Sequence, residues 1–152
     1  MMSRMSRLAG GLGFVTLMGS GLCASVAAAQ APAKSAAPAP SVRIMEPKHG
    51  ATVTGTMVHV VLEAQGVEIA PAAEHRAGTA HHHLFLDTDL TAADVTIPVG
   101  MPGIVHLGKG QTEYTFEGVA PGVHRLIALL ADPNHVPLKP STADTVRFTV
   151  AP

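Results

Sequence analysis

Three consecutive histidines at positions 81–83 lie inside the chain and run directly into the apolar sequence LFL. The apolar run predicts a β-strand with the three imidazoles at its start. Successive side chains of a strand point to opposite faces. His81 and His83 are therefore predicted to share one face with Asp87, and His82 to lie on the other. Imidazole is a common ligand of transition metals, and its charge changes near neutral pH.

Further histidines follow in positions that could meet the first group. His106 precedes a glycine-rich loop, and His135 lies three residues after Asp132 in a proline-rich loop. Zinc and copper sites use three or four ligands at about 2.0–2.2 Å. Because the loops at one end of a β-sandwich gather together, we expect the ligands to converge at a common rim, with Asp87 or Asp132 in support. The candidate metal ligands are His81, His83, His106, His135 and Asp132.

The other histidines fit ordinary structural roles. His124 is in phase with apolar positions of its strand and is predicted to be a buried residue with satisfied hydrogen bonds. His49, His59 and His75 are predicted to be surface or packing residues. The whole set also has a metal-free interpretation, in which each imidazole anchors a loop by bonding to backbone groups. That alternative predicts histidines that lie apart from one another.

The N-terminus has the pattern of a secretory signal peptide, which we assign to residues 1–29. Arg4 and Arg7 precede an uncharged apolar stretch, and an alanine run offers a cleavage site. The pattern predicts export to the periplasm and no stable membrane anchor after cleavage. It disfavours both an uncleaved transmembrane helix and lipidation at Cys23. The mature chain would then lack thiols, so a metal would bind through His, Asp, Glu, Met or backbone oxygen.

Cleavage also changes the charge, leaving eight basic and eleven acidic side chains, a net charge of −3. This weakly acidic, unpatterned balance argues against a nucleic-acid partner. The sequence identifies no protein partner in the periplasm.

Residues 30–40 form an Ala/Pro-rich linker, and residues 41–152 are predicted to be a single β-sandwich domain of Ig-like or Greek-key type. Short apolar or alternating stretches are separated by Gly and Pro at the spacing typical of sandwiches, and helical periodicity is not evident after the leader. The predicted strands are 42–45, 57–64, 82–87, 104–107, 112–116, 123–131 and 145–150.

Motifs for other chemistries are weak. The sequence GKGQT at 108–112 lacks the Gly-Lys-Ser/Thr and following helix of a phosphate-binding loop. The serines of the domain lie outside any nucleophile-elbow sequence. A three-histidine site with an open position could activate water, but no general base is recognisable, and whether the chain is an enzyme stays open with a binding role favoured.

Four motifs occur along the chain: GxxHHHLFLDTDL from residue 78, HxGKGQTE from residue 106, PGxHxL from residue 121 and DxxHxP from residue 132. Together, and in this order, they resemble the bacterial domain-of-unknown-function family 4399. The resemblance covers nearly all of residues 42–150 and implies an exported, compact β domain without an established activity. Family members often carry further histidines where this chain has Ile104 and Leu138. The resemblance therefore favours the retained residues as the working set, namely His81, His83, His106, Asp132 and His135.

A looser likeness concerns about thirty residues at the C-terminus, which are similar to periplasmic copper-resistance domains of the CopC type. That likeness implies an Ig-like fold and copper binding through a histidine near the equivalent loop. Taken together, the residues predict an exported histidine-rich β domain that binds copper or zinc. The alternative is a structural or interaction module whose histidines anchor loops.

Overall fold

The computed structural model describes residues 38–140 and 142–152. The predicted signal peptide and residues 30–37 of the predicted linker lie outside the described residues. The described residues include no helix long and apolar enough to cross a membrane. Their elements are β1 (Ser41–Glu46), β2 (Thr52–Thr54), β3 (Val58–Gln65), β4 (Glu68–Ile69), a 3-10 turn (Ala72–Glu74), β5 (Thr79–Leu86), β6 (Ile104–Leu107), β7 (Glu113–Phe116), β8 (Gly122–Ala131) and β9 (Ala143–Ala151).

The strands form two sheets. The smaller sheet has the order β1-β3-β7 and is antiparallel throughout. The larger sheet has the order β2-β9-β8-β5-β4, with β6 also paired to β5. One edge of β5 pairs with β8, whereas its other edge pairs with β4 at the start of the strand and with β6 from His82 to Phe85. Strand β5 therefore lies in the interior of the larger sheet.

The main core fills the space between the two sheets. Alternate residues of β1 and β3 are buried there, including Val42 and Val60. They pack with residues of the larger sheet such as Leu84, Leu126 and Phe148, each no more than 1% exposed. This alternation of buried and exposed positions is what period-two side-chain geometry gives when one face of a sheet meets a partner sheet.

Strand β5 differs because both of its faces are buried. A second apolar cluster covers the outer face of the larger sheet and includes Phe85, Leu129 and Ile97. Ile97 comes from the long connection between β5 and β6, and its side chain is only 1% exposed. That connection thus covers the outer face, so the β5 residues in phase with Phe85 lie under a loop instead of facing solvent.

The predicted all-β, Ig-like sandwich is confirmed, and the seven predicted strands correspond to β1, β3 and β5–β9. The short strands β2 and β4 were not predicted. Strand β5 begins at Thr79, so the three histidines lie within it and not at its start. The reason is the parallel pairing of β4 with Thr79 and Ala80, extended by a bond from Ala70 N–H to Ala80 O of 3.0 Å. A two-residue strand has too short a pattern to be recognised before its partner is known.

Candidate metal centre

Four histidines meet on the outer face of the larger sheet. His81 and His83 alternate with core residues along β5 and are both fully buried. His106 lies on β6 directly opposite His83 in the antiparallel register. His135 follows β8 in the loop that ends that strand. We refer to His81, His83, His106 and His135 as the four-histidine cluster.

The four rings surround one small volume. One ring nitrogen from each histidine can be chosen so that all four atoms lie within 4.8 Å of one another. The Nε2 atoms of His81 and His83 are 2.9 Å apart, and those of His106 and His135 are 3.1 Å apart. Ligand nitrogens around a tetrahedral ion at the usual zinc distance would be roughly 3.3 Å apart. The cluster is therefore compact enough to hold one metal ion.

The expected convergence of these four histidines is found, but its location differs from the prediction. They meet on the outer face of one sheet and not at a rim where loops of both sheets gather. The antiparallel pairing of His83 with His106 brings two imidazoles side by side within the sheet. The rim expectation was wrong because a buried outer face was not foreseen.

The loop at 132–136 fixes the position of His135. The Asp132 carboxylate accepts hydrogen bonds from the backbone N–H groups of Asn134 and Val136, each 2.9 Å long. His135 has a left-handed backbone, with φ of 63°, a conformation uncommon for a non-glycine residue. Its carbonyl accepts a 2.8 Å bond from the N–H of Ile97 in the covering loop. Asp132 thus lies outside the group of four converging donors, and its visible role is to shape this loop.

Asp87 does not support the cluster. It was predicted to share the face of His81 and His83, but the backbone leaves the strand at Asp87 with a φ of 54°. Its carboxylate instead contacts His124 Nδ1 at 2.7 Å and accepts a 2.8 Å bond from the N–H of Arg125. This arrangement ties the end of β5 to the start of β8.

The remaining histidines stand apart from the cluster. His82 lies on the inner face, where its Nδ1 is 3.1 Å from the carbonyl oxygen of Gln111. The second ring nitrogen of His124 is 2.8 Å from the carbonyl oxygen of Ala120, so both its nitrogens have partners, as predicted. His124 is only half-buried, however, and not buried as predicted. The exposed histidines are His49, His59 and His75.

The surroundings of the cluster favour neutral imidazoles. Burial above all, together with the neighbouring His106 and His135 and against the opposing charge of Asp132, lowers the pKa of His81 to about 4. Burial, followed by the other three rings of the cluster, lowers the pKa of His83 to about 3. Burial and His135 also lower the pKa of His106. At neutral pH these rings keep the lone pairs that a metal ion requires.

Hydrogen bonding between the rings leaves other polar atoms unsatisfied. The Nδ1 atoms of His81 and His83 are buried and have no hydrogen-bond partner within the part of the chain that the structure describes. If one Nε2 donates to the other, one ring leaves an unpaired Nδ1 donor and the other an unpaired acceptor. Each unsatisfied buried group costs about 1–3 kcal/mol. The hydrogen bond between the two rings therefore does not by itself compensate for burying these imidazoles together.

Gly108 is a positioning residue that sequence reasoning did not identify. A Cβ at this position would lie 2.1 Å from Cε1 and 2.3 Å from Nε2 of His106, so the ring occupies the space that any larger residue would need. The spacing His-x-Gly, which places both residues on the same side of an extended chain, was the available signal. Ile97 was also missed, because nothing in the sequence indicates which residue of a long loop folds back.

We expect Gly108→Ala to weaken metal binding while the sandwich stays folded. Gly108 does not have a positive φ, so the added methyl group acts on the His106 ring and not on the backbone. Changing a residue that orients a metal ligand typically lowers metal affinity about 10- to 100-fold. Competition with a chromophoric zinc chelator measures the affinity, and the melting temperature of the metal-free variant controls for folding. Unchanged affinity would show that the ring does not need this space.

The described fold is thus a two-sheet β-sandwich with a histidine cluster on one sheet. The chain belongs to the family "Domain of unknown function (DUF4399)", whose model matches residues 60–151. All four histidines of the cluster lie within that match. No curated protein matches the chain.

Several solved structures show a distant similarity to this chain. A structure of fibronectin(III)-like modules of Clostridium thermocellum CbhA is 16% identical with a TM-score of 0.47, and the match covers 73% of this chain and 46% of that one. An engineered protein is 13% identical with a TM-score of 0.47, covering 77% and 21%. The apo-form Calx CBD1 domain is 20% identical with a TM-score of 0.32, covering 74% and 98%. The chain thus spans less than half of the first two structures, and likenesses this distant carry no information on function.

Proposed function

We propose that this protein is an exported metal-binding protein that holds one transition-metal ion, copper or zinc, in the four-histidine cluster. The convergence of four imidazoles drawn from β5, β6 and the loop after β8 carries this proposal. Imidazole nitrogen suits both metals. Export rests on the signal-peptide pattern of residues 1–29, which would place the domain in the periplasm.

The contacts favour a metal role over the loop-anchor alternative. Loop anchors would lie apart and face backbone groups, as His82 does with Gln111. The cluster rings face one another instead, with all six centroid separations between 4.6 and 5.6 Å. His106 and His135 are only half-buried, so an ion could enter from their side.

The test is the stoichiometry and affinity of metal binding. The protein is purified without a polyhistidine tag and stripped of metal with a chelator. Calorimetric titration is expected to show binding of one equivalent of zinc or copper, and elemental analysis of the reloaded protein is expected to show that this equivalent is retained. The double variant His106→Ala/His135→Ala removes the two more exposed ligands. Changing a residue that only supports a ligand typically lowers metal affinity about 10- to 100-fold. Removing two ligands is therefore expected to weaken binding by at least about 100-fold.

The matched control is His49→Ala/His59→Ala, which removes two exposed histidines outside the cluster and should bind as the original chain does. Failure to retain any divalent ion would refute the proposal. Equal affinity of the cluster variant and the original chain would refute it as well.

A further inference from the structure

The arrangement of the four rings also bears on which ion fits them. Four ligands in a square have two opposite pairs that are both about 1.4 times farther apart than adjacent pairs, whereas four ligands in a tetrahedron are equally spaced. Four rings can be divided into two pairs in three ways, and each division gives two centroid separations. A square arrangement requires one division in which both separations are clearly longer than the other four, whereas a tetrahedron has no such division.

No division of the four rings is long in both separations. When His81 is paired with His83, the two centroid separations are 4.8 Å for that pair and 4.6 Å for the remaining pair. When His81 is paired with His106, they are 4.9 and 5.6 Å. When His81 is paired with His135, both are 5.0 Å. With ring centres about 3.2 Å from a shared ion, tetrahedral ligands would have centroids roughly 5.2 Å apart and square ligands roughly 4.5 and 6.4 Å apart. The observed separations span only 4.6 to 5.6 Å, and none approaches the roughly 6.4 Å that opposite ligands of a square would have.

The fold explains why the four imidazole rings of the cluster are not arranged in one plane. His81, His83 and His106 project from the same face of one sheet, and His135 approaches from a loop. The His135 ring is inclined by 78° to His81, 84° to His83 and 69° to His106. Flattening the set would require His135 to move, but its backbone is tied on both sides, by the Asp132 carboxylate and by the N–H of Ile97.

We infer that the four-histidine cluster is a closed tetrahedral zinc site, in which four imidazoles fill the coordination shell and leave no position for water. This inference rests on the proposed function and narrows its metal. Zinc accepts tetrahedral coordination without penalty, whereas Cu(II) and Ni(II) favour square-planar or tetragonal sites. Cu(I) is matched by soft sulfur ligands, which the cluster lacks. A closed shell serves to hold or buffer zinc, since a catalytic zinc keeps one position open.

Cobalt(II) and X-ray absorption test the geometry. The untagged full chain loaded with Co(II) is expected to show the intense visible absorption of four-coordinate cobalt. The zinc-loaded chain is expected to show four imidazole nitrogens at about 2.0–2.1 Å by X-ray absorption. His135→Ala should open one position, reducing the imidazole count to three and changing the cobalt spectrum, while the control His59→Ala should leave both unchanged.

The outcomes separate this inference from the proposed function. The weak spectrum of six-coordinate cobalt, or fewer than four imidazoles on zinc in the original chain, would overturn the closed tetrahedral site while leaving metal binding intact. A tetragonal Cu(II) resonance spectrum with four in-plane nitrogens would also overturn it, because the cluster would then flatten readily. Binding of copper but of neither cobalt nor zinc would overturn the zinc site and leave the proposed function standing, and binding of none of the three metals would overturn both.

Discussion

Zinc at a thousandfold excess over its Kd is expected to raise the free energy of unfolding by about 4 kcal/mol, because an ion that binds only the folded chain stabilises it by mass action. For a domain of this size the gain corresponds to a rise in melting temperature of roughly 15 °C or more. The cluster's ligands come from β5, β6 and the loop after β8, so the ion would link segments that unfolding separates. Differential scanning calorimetry with and without zinc measures the shift.

The double variant His81→Ala/His83→Ala is expected to lose the zinc-dependent shift. Because both side chains are fully buried, the variant will also be less stable without metal, so the comparison is the shift within each protein. His106→Ala, which removes a half-buried ring, gives a second variant with a smaller effect on folding. His59→Ala serves as the exposed control. A zinc-dependent shift that persists undiminished in both cluster variants would contradict binding at this site.

The sequence was most informative where a single strand carried the signal. Alternation along a strand was enough to predict that His81 and His83 share a face and that His82 does not. The apolar neighbours of these histidines identified the strand. What alternation cannot give is the partner strand's register, and the pairing of His83 with His106 depends on it. A shift of one residue would send His106 to the opposite face.

The location of the site depended on a loop that sequence patterns describe poorly. The connection between β5 and β6 reads as a run of turns, yet Ile97 folds back and buries the outer face of the larger sheet. Asp87 failed as a predicted support for a related reason. The strand rule was extended to a residue whose positive φ ends the strand, and a single backbone dihedral turned that carboxylate toward His124.

Acid is expected to destabilise the metal-free protein because the cluster resists protonation. In the unfolded chain His81 and His83 titrate near pH 6.5, whereas burial lowers their pKa to about 4 and about 3 in the folded state. Below pH 6.5 the unfolded chain therefore binds protons that the folded chain does not. Each ring then lowers the free energy of unfolding by about 1.4 kcal/mol per pH unit. At pH 5 the two rings together are expected to lower the free energy of unfolding by about 4 kcal/mol relative to its value at neutral pH or above.

His124 contributes with the opposite sign in a different pH range. Burial lowers its pKa, but bonds to Asp87 and to the carbonyl of Ala120 outweigh burial and raise it overall. A raised folded-state pKa gives stability that is fully present below pH 6.5 and is lost as the pH rises through the folded-state value. The acid limb of the stability curve should therefore report the cluster, and the loss of stability as the pH rises above 6.5 should report His124.

Urea denaturation between pH 8 and pH 4 in the presence of a chelator measures both limbs. His81→Ala/His83→Ala is expected to flatten the acid limb and leave the loss of stability above pH 6.5 in place, whereas His124→Ala should do the reverse. Saturating zinc should protect the original chain against acid until protons compete for the ligands, because the ion requires the same neutral imidazoles that acid protonates. Equal urea midpoints at pH 7 and pH 5 for the metal-free original chain would mean that the imidazoles of residues 81 and 83 accept protons without unfolding, and the buried neutral cluster would be ruled out.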